Sequence, residues 1–320
     1  MLYAHQSIVA PLAPNAELRV VTGLGGTRWE QFTLPQAAKH DGLDVFFAPG
    51  YTAPLALKVP CVLLVHDLSF VSHPEWFRAR EGLRRRLFTR WSSARAETVL
   101  TVSEMAREEI VAGFGLAPSR VCCIYPGITT LKPAVSHAAR EPLVLFAGSI
   151  FNRRHVPDLI RAFTQVARRH PEVRLEVVGA DRSYPRQDLP ALVAAEGLHD
   201  RVGIRSYVPD ETLADLYQRA RVFAFLSEYE GFGHPPLEAL AHGVPPILLD
   251  TAVAREVCDT AALYVGRVDR STISSALGNL LFDEAPRAMV LAAGPAVLSR
   301  YSWSRAAEKT LEAIEAAGQG

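Results

Sequence analysis

Long apolar runs, paired-cysteine motifs of the C-x-x-C type and an excess of one charge are all missing from this sequence of 320 residues. No stretch is apolar for long enough to span a bilayer, and no signal-peptide pattern opens the chain. Lysine plus arginine number 34, as do aspartate plus glutamate, so no overall positive field attracts nucleic acid. We therefore expect a soluble cytoplasmic protein with no nucleic-acid partner.

The cysteines and acidic residues form none of the common metal or redox motifs. No cysteine belongs to a C-x-x-C pair or stands at zinc spacing from histidines. No D-x-D motif occurs in a metal-site context, so we expect no metal site. A G-x-G-x-x-G opening a helix after a first strand is also missing, which argues against an NAD-dependent dehydrogenase. The cysteines, expected to be reduced and mostly buried, are Cys61, Cys122, Cys123 and Cys258.

The second half of the chain alternates apolar strands with helices in a regular rhythm. Strands that are apolar on both faces and alternate with helices predict a parallel sheet covered on both sides. The first half repeats the pattern less regularly, and segment 126–142 predicts a linker. We predict an α/β fold with two Rossmann-like doubly wound domains, 1–134 and 135–300, and a terminal helical segment, 301–320. Ligands are expected in the crevice between the carboxyl ends of the two sets of strands.

Segment 227–243 (SEYEGFGHPPLEALAHG) carries the strongest functional signal. It follows a predicted strand, at the edge where doubly wound sheets bind ligands. Glu230 and Glu238 flank a glycine turn and a predicted helix start, where backbone N–H groups and partial positive charge favour anionic oxygens. We expect Glu238 in the first helical turn. A ligand with hydroxyls and a phosphate suits this arrangement, and the simpler alternative is a tight turn with solvated glutamates.

The order E-G-F-G-x-P-x-x-E-A at 230–239 resembles the signature of glycosyltransferase family 4, a family of retaining enzymes with the GT-B fold. The similarity continues through much of 241–265. A second segment, Gly148–His155 (GSIFNRRH), resembles the family's G-T-L-x-x-R-K-N segment, whose basic pair holds the donor diphosphate. Arg153 and Arg154 occupy those two positions, and Arg154 replaces the usual lysine.

The resemblance implies roles for residues in both halves of the chain. Glu230 is implied to bind hydroxyls of the transferred sugar, and Glu238 the ribose hydroxyls. His66 lies in an HDLSF…PEWF segment similar to mannosyltransferase-like members and is implied to project toward the sugar; a hydrogen-bonded structural histidine is the alternative. Ser103, in a matching TVSE segment, is more simply a helix N-cap. The residues implied to line the nucleotide pocket are Gly148, Gly179, Tyr207, Val208, Gly231, Phe232 and Gly233.

Residues 76–95 combine seven arginines with large apolar side chains. A basic amphipathic helix of this kind can lie on an anionic membrane. The favoured interpretation instead places an apolar face on the core and an arginine face in water. A lipid-linked acceptor would favour the membrane interpretation.

The resemblance to the family begins late. Residues 1–5 (MLYAH) resemble its second strand, so the usual first strand, glycine-rich loop and helix have no counterpart and the N-terminal domain is expected to be incomplete. A central strand missing from a parallel sheet exposes unpaired backbone and apolar surface. We therefore expect this chain to be unstable alone, to form a homo-oligomer, or to have weak activity.

These features together predict a metal-independent, retaining glycosyltransferase. It is expected to transfer a hexose, with mannose favoured, from a nucleotide-diphosphate sugar, with GDP-mannose favoured, to a glycan or lipid-linked acceptor. Arg153, Arg154 and the helix start near 231–236 are expected to stabilise the leaving diphosphate. Two alternatives stay open: a nucleotide-sugar-binding or scaffold protein with little turnover, and a nucleotide-sugar epimerase, which needs no acceptor. Contact of 76–95 with the inner membrane face also stays open as an alternative.

Overall fold

A computed structural model describes residues 1–7, 15–131 and 139–319. Its contacts divide the chain into two compact units, which are described separately below. The predicted linker, 126–142, includes positions 132–138, which lie outside the described residues, as does the predicted domain boundary at 134. The first unit comprises Met1–Pro74, Arg78–Ile124 and Ala307–Gly320; the second comprises Glu75–Phe77 and Tyr125–Ala306.

The first unit contains two parallel sheets. A two-stranded sheet pairs the first two strands, and a separate four-stranded sheet has its strands in sequence order. The interiors of the middle strands are fully buried, as their continuous apolar runs predict. The strands are β1 (Leu2–Ala4), β2 (Leu18–Val20), β3 (Phe46–Ala48), β4 (Cys61–Leu64), β5 (Thr98–Thr101) and β6 (Val121–Cys123).

The helices of the first unit begin and end at recognisable signals. Ser103 accepts a hydrogen bond from the Ala106 N–H at 3.1 Å, which confirms its predicted role as an N-cap. Gly115, in the left-handed conformation at φ 67°, ends the same helix. A π-helical turn, Trp29–Thr33, leads directly into α1, and a 3₁₀ turn, Pro74–Trp76, precedes α3. The helices are α1 (Leu34–Lys39), α2 (Ser69–Ser72), α3 (Ala79–Arg95) and α4 (Glu104–Phe114).

The second unit has one six-stranded parallel sheet, ordered β12-β11-β10-β7-β8-β9. Counted within the unit, this is the doubly wound order 3-2-1-4-5-6 in reverse, with its change of direction between β7 and β10. The strands are β7 (Leu143–Ala147), β8 (Arg174–Val178), β9 (Val202–Arg205), β10 (Val222–Phe225), β11 (Pro246–Leu249) and β12 (Leu263–Val265). The helices are α5 (Val156–Arg169), α6 (Leu189–Ala195), α7 (Asp210–Arg219), α8 (His234–Ala241), α9 (Ala252–Cys258), α10 (Arg270–Phe282) and α11 (Glu284–Leu298).

The last helix, α12 (Trp303–Gly318), belongs to the first unit from Ala307 onward. Its residues Ala313, Ile314 and Ala317 pack with Val62 and Leu100 of the four-stranded sheet. The helix thereby covers apolar surface that the short strands β4 and β5 would otherwise expose.

Three further observations bear on expectations from the sequence. The prediction that the cysteines are mostly buried is wrong, because one of the four, Cys258, is buried, Cys61 and Cys123 are partly buried, and Cys122 is exposed. In the described ranges, no helix is both long and apolar enough to cross a membrane. Among those same residues, no group of three or more His, Cys, Asp or Glu side chains is arranged to hold a metal ion.

Arg140 joins the C-terminal ends of two helices in the second unit. Its guanidinium donates to the carbonyl oxygens of Tyr217, Gln218 and Ala220, at 3.0, 3.1 and 2.7 Å, and to that of His242 at 2.5 Å. One side chain thus serves the last carbonyls of both α7 and α8, which have no partner within their helices.

We expect Arg140→Met to destabilise the protein by about 1.5–3 kcal/mol, because hydrogen bonds from a charged donor to buried carbonyls are lost together. Urea unfolding followed by circular dichroism measures the change. Arg186→Met, at a side chain that is 88% exposed, is the matched control and should change stability little. Equal effects of the two substitutions would contradict the assigned role of Arg140.

Candidate active site

The candidate site lies in the second unit, at the point between β7 and β10 where the strand order of the six-stranded sheet changes direction. The loop after β7 runs from Gly148 to His155, and the loop after β10 runs from Leu226 to Gly233. Because β7 and β10 are neighbouring parallel strands, both loops leave the same edge of the sheet. Segments far apart in sequence are thus brought side by side.

Arg154 and Glu230 join the two loops in an ion pair. The Arg154 Nε donates to Glu230 Oε1 at 2.7 Å, and only 10% and 14% of the two side chains are exposed. The Arg154 Nη1 donates to the Ser149 carbonyl at 2.7 Å, and the guanidinium lies 4.7 Å from the centre of the Phe225 ring. Arg154 therefore holds both loops in place, a role that the sequence did not distinguish from diphosphate binding.

Glu230 is held by a second donor from its own loop. The Ser227 hydroxyl lies within hydrogen-bonding distance of both Glu230 Oε1, at 2.8 Å, and the Tyr229 carbonyl, at 3.1 Å. With Arg154 on the same oxygen, the carboxylate position is fixed by charge-assisted hydrogen bonds. The sequence placed Ser227 at the start of this segment but assigned it no role.

Arg153 projects differently from its neighbour. Its Nε donates to the Tyr229 carbonyl at 3.1 Å, and its guanidinium lies 4.2 Å from the centre of the Phe151 ring and 5.4 Å from that of Trp76. Trp76 in turn meets Tyr229 edge to face. Aromatic faces favour a cation beside them. The rings of Phe151 and Trp76 therefore help to hold the Arg153 guanidinium next to the loop that carries Glu230.

Two glycines allow the strand ends to come this close. A Cβ at Gly179, after β8, would lie 1.9 Å from the Gly148 carbonyl oxygen, and a Cβ at Gly148 would lie 2.9 Å from the Arg154 guanidinium. Real Cβ atoms do not approach backbone as closely as at Gly179, and at Gly148 a Cβ would require the Arg154 guanidinium to shift. Both predicted glycines therefore serve close packing at the sheet edge.

Glu238 lies within helix α8 and contacts Tyr217. It is the fifth residue of α8, so the prediction that it stands in the first helical turn is wrong. The Tyr217 hydroxyl donates to its Oε2 at 3.2 Å. Burial raises the pKa of Glu238 above its ordinary value, and the hydrogen bond from Tyr217 opposes this rise.

The start of α8 offers fewer backbone donors than its position suggests. The first four residues are His234, Pro235, Pro236 and Leu237, and the two prolines have no N–H. Gly233 enters the helix at φ 98°, a conformation that favours glycine. Phe232 is buried and packs against Tyr125 and Tyr301, so its side chain belongs to the core.

A cavity of about 610 Å³ lies at the ends of β8 and β9. Of the residues implied to line the nucleotide pocket, Gly179 lines this cavity, together with Ser206, Ile150 and Gln187. Tyr207 and Val208 contribute differently. The Tyr207 side chain is 78% exposed and that of Val208 is buried, and neither lines this cavity.

In the first unit, His66 stands beside a strained residue. Burial lowers the pKa of His66, and the neighbouring Asp67 opposes this change. The ring centres of His66 and Tyr51 are 5.4 Å apart, and Tyr51 adopts φ 56°, which is rare for an aromatic residue. The Tyr51 hydroxyl donates to Asp67 at 2.7 Å. Such conformations persist where the surroundings enforce them, often at binding sites.

A cavity of about 200 Å³ lies next to Tyr51 in the same unit. Its lining combines aromatic rings with hydroxyl, carboxylate and guanidinium groups. Burial raises the pKa of its carboxylate, Glu30, which accepts a hydrogen bond from Thr52 at 2.8 Å. The lining residues include Glu30, Tyr51, Thr52, Phe70, Arg84 and Phe88.

The protein has two Rossmann-like units, and one of them carries arginines and a carboxylate where the strand order of its sheet changes direction. These features define a class of α/β proteins that bind ligands at strand ends. The family model Glycosyl transferases group 1 matches residues 128–290, and Glycosyltransferase Family 4 matches residues 11–131. The chain therefore belongs to glycosyltransferase family 4, and it is a glycosyltransferase with the GT-B fold.

Individual proteins show the same relationship. O-antigen chain mannosyltransferase B of Escherichia coli is 27% identical over 288 residues, which cover 85% of this chain and 74% of that protein. A GDP-mannose:cellobiosyl-diphosphopolyprenol alpha-mannosyltransferase of Xanthomonas oryzae pv. oryzae is 30% identical over 215 residues, which cover 65% and 54%. HepE of Anabaena, solved with UDP and glucose, superposes with a TM-score of 0.76 at 19% identity, covering 93% and 86%.

His155 gives the candidate site a pH-dependent contact. It adopts φ 51° at the start of α5, with Nδ1 at 3.2 Å from Asp158 Oδ2 and Nε2 at 3.4 Å from Glu228 Oε2. The hydrogen bond to Asp158 is the main cause that raises the pKa of His155, and Glu228 adds to it. A helix start disfavours a cation, so these two carboxylates supply the compensation.

We expect His155→Asn to cost about 1 kcal/mol below pH 6.5, where the histidine is charged in both folded and unfolded chains. Because the folded pKa is raised, this contribution is lost as the pH rises through that folded value. Asparagine tolerates the left-handed backbone, so conformational strain is held nearly constant. Urea unfolding at pH values from about 5 to 9 measures the difference, and a cost independent of pH would refute the charge-based account.

Proposed function

We propose that this chain is a retaining glycosyltransferase that moves a hexose from a nucleotide-diphosphate sugar to a glycan or lipid-linked acceptor. The observation that carries the proposal is the placement of Arg153, Arg154 and Glu230 together at the switch point of the second sheet. Guanidinium groups suit a diphosphate and a carboxylate suits sugar hydroxyls.

The reaction breaks the bond between the anomeric carbon and a phosphate oxygen. Negative charge then grows on the leaving diphosphate and positive charge on the sugar ring. We assign the stabilisation of the diphosphate to Arg153 and to the Nη2 group of Arg154, without a metal ion. The acceptor hydroxyl oxygen forms the new bond on the same face of the sugar, and the departing phosphate oxygen takes its proton.

Glu230 is assigned to the hydroxyls of the transferred sugar. Its Oε1 is occupied by Arg154 and Ser227, so the other carboxylate oxygen is the one proposed to accept from the sugar. Glu238 is assigned to the ribose, and the cavity at Gly179 and Ser206 to the base. Because burial raises the pKa of Glu238, its ionised form would gain from ribose hydroxyl donors.

The donor and the acceptor are proposed on different grounds. Mannose and GDP-mannose are favoured because two relatives are named as mannosyltransferases, one of them with GDP-mannose. HepE of Anabaena, by contrast, was solved with UDP and glucose. We assign acceptor binding to the first-unit cavity beside Tyr51, where rings and polar groups suit a saccharide. A cytoplasmic location at the inner membrane face, and assembly as a homo-oligomer, complete the proposal.

The proposal is tested by thermal-shift and saturation-transfer measurements with GDP-, UDP- and ADP-sugars, followed by transfer assays with the donor that binds. We expect Arg153→Ala and Glu230→Ala to lower kcat by about 10²–10³-fold, because each removes a contact to the reacting group. Activity should persist in the presence of EDTA.

Arg168→Ala and Glu211→Ala, at exposed positions of the same unit, are the matched controls. Binding of a nucleotide sugar without transfer to any acceptor would instead indicate a binding or scaffold protein. Conversion of the donor sugar without an acceptor would indicate an epimerase. Failure of all three donor classes to bind would overturn the site assignment.

A further inference from the structure

Helix α3 is oriented in the opposite way to the favoured interpretation of its sequence. The buried side of α3, which packs on the rest of the first unit, consists of small residues, Gly82, Thr89, Ser92 and Ser93. The expectation of an apolar face on the core is therefore wrong for this helix. Small side chains allow close packing, and they leave the large apolar residues of α3 to other sides of the helix.

Three of those large residues form a row on the outside. Leu83, Leu87 and Trp91 are 59%, 36% and 46% exposed. Their spacing of four residues places them on one face of the helix. Single exposed apolar side chains are ordinary, but a contiguous row that includes tryptophan indicates an interaction surface.

The same outer face is strongly basic. Helix α3 carries six arginines and one glutamate, a balance of +5 in 17 residues, whereas the whole chain has no net charge. Arg80 and Arg90 lie three residues from Leu83 and Leu87, so they border the apolar row. Arg80, Arg86 and Arg90 are exposed, and they form no hydrogen bond or ion pair with any residue that the structure describes. Arg85, by contrast, pairs with Glu81 at 2.7 Å.

We propose that α3 docks flat on the surface of an anionic lipid bilayer. Arginines bind the phosphates of anionic headgroups, tryptophan favours the boundary between water and lipid, and leucines enter the outer acyl region. Charge complementarity favours a lipid surface over a neutral protein face. The apolar row favours lipid over nucleic acid, because nucleic acid binds to arginines through its phosphates and needs no exposed leucines. The inference does not depend on the identity of the donor or acceptor.

The test is flotation of the whole chain with vesicles of phosphatidylcholine alone or mixed with phosphatidylglycerol. We expect binding only with the anionic lipid, and weaker binding at higher salt. Arg80→Gln/Arg86→Gln/Arg90→Gln should lower the partition coefficient on the order of 10²-fold. Leu83→Ser/Leu87→Ser should also lower the partition coefficient. Binding of the unchanged chain to vesicles should shift its tryptophan fluorescence to the blue, and this shift should be lost in Leu83→Ser/Leu87→Ser. Trp91→Phe should lack the shift as well, which would assign it to Trp91.

The matched controls are Arg168→Gln/Arg169→Gln, two exposed arginines of α5, and Met289→Ser, an apolar side chain that is 69% exposed. These should bind vesicles like the unchanged chain, and all variants should keep its circular dichroism and nucleotide-sugar thermal shift. Equal binding to both vesicle types, or binding unaffected by the α3 variants, would overturn the proposal. So would a self-association that the same variants abolish, or binding to DNA or RNA with none to vesicles.

Discussion

The ion pair between Arg154 and Glu230 ties together the two loops on which the candidate site depends. Taking both charges out of water carries a desolvation cost that attraction offsets only with good geometry and further hydrogen bonds. The structure supplies further hydrogen bonds through Ser227 and the Ser149 carbonyl, and a cation–π contact with the Phe225 ring. A pair of this kind is better suited to fixing a carboxylate in place than to adding stability.

Several other features of the second unit can be understood from that constraint. The pair can form only because β7 and β10 are neighbours at the point where the strand order changes direction. It also requires that the strand ends approach closely, which Gly148 and Gly179 allow. Arg154 pairs with Glu230, whereas the neighbouring Arg153 packs against the rings of Phe151 and Trp76. The two adjacent arginines thus have different surroundings: both are proposed to contact the diphosphate, and Arg154 in addition holds Glu230.

Much of the α/β fold could be predicted from the sequence, because buried parallel strands are continuous apolar runs. The predicted alternation of apolar strands and helices in the second half is observed, with apolar runs at 143–147 and 222–225 forming β7 and β10. The loop after β10 was recognised as part of the site because strand ends in such sheets carry ligands, and the loop after β7 was recognised from its resemblance to the family's basic segment. The GT-B fold and the family were predicted from motif resemblance and are confirmed by the comparisons.

Other features depend on tertiary contacts that local patterns do not contain. The pairing of Arg154 with a residue 76 positions away depends on sheet order, so the sequence could not separate its role from that of Arg153. The orientation of α3 was mistaken because periodicity shows that a helix has two faces but not which one faces the core. Glu238 was placed in the first turn of α8, although it is the fifth residue, because two prolines obscured where the helix begins.

The central claim, that Arg154 acts by holding Glu230, is tested most directly by a double-mutant cycle of unfolding free energies. Arg154→Met and Glu230→Gln should each be destabilising by about 3 kcal/mol, since each leaves one partner buried without its counterpart. The double variant should be less destabilised than the sum, with a coupling of about 2 kcal/mol. Strictly additive effects would show that the two side chains do not depend on each other, and would contradict the account.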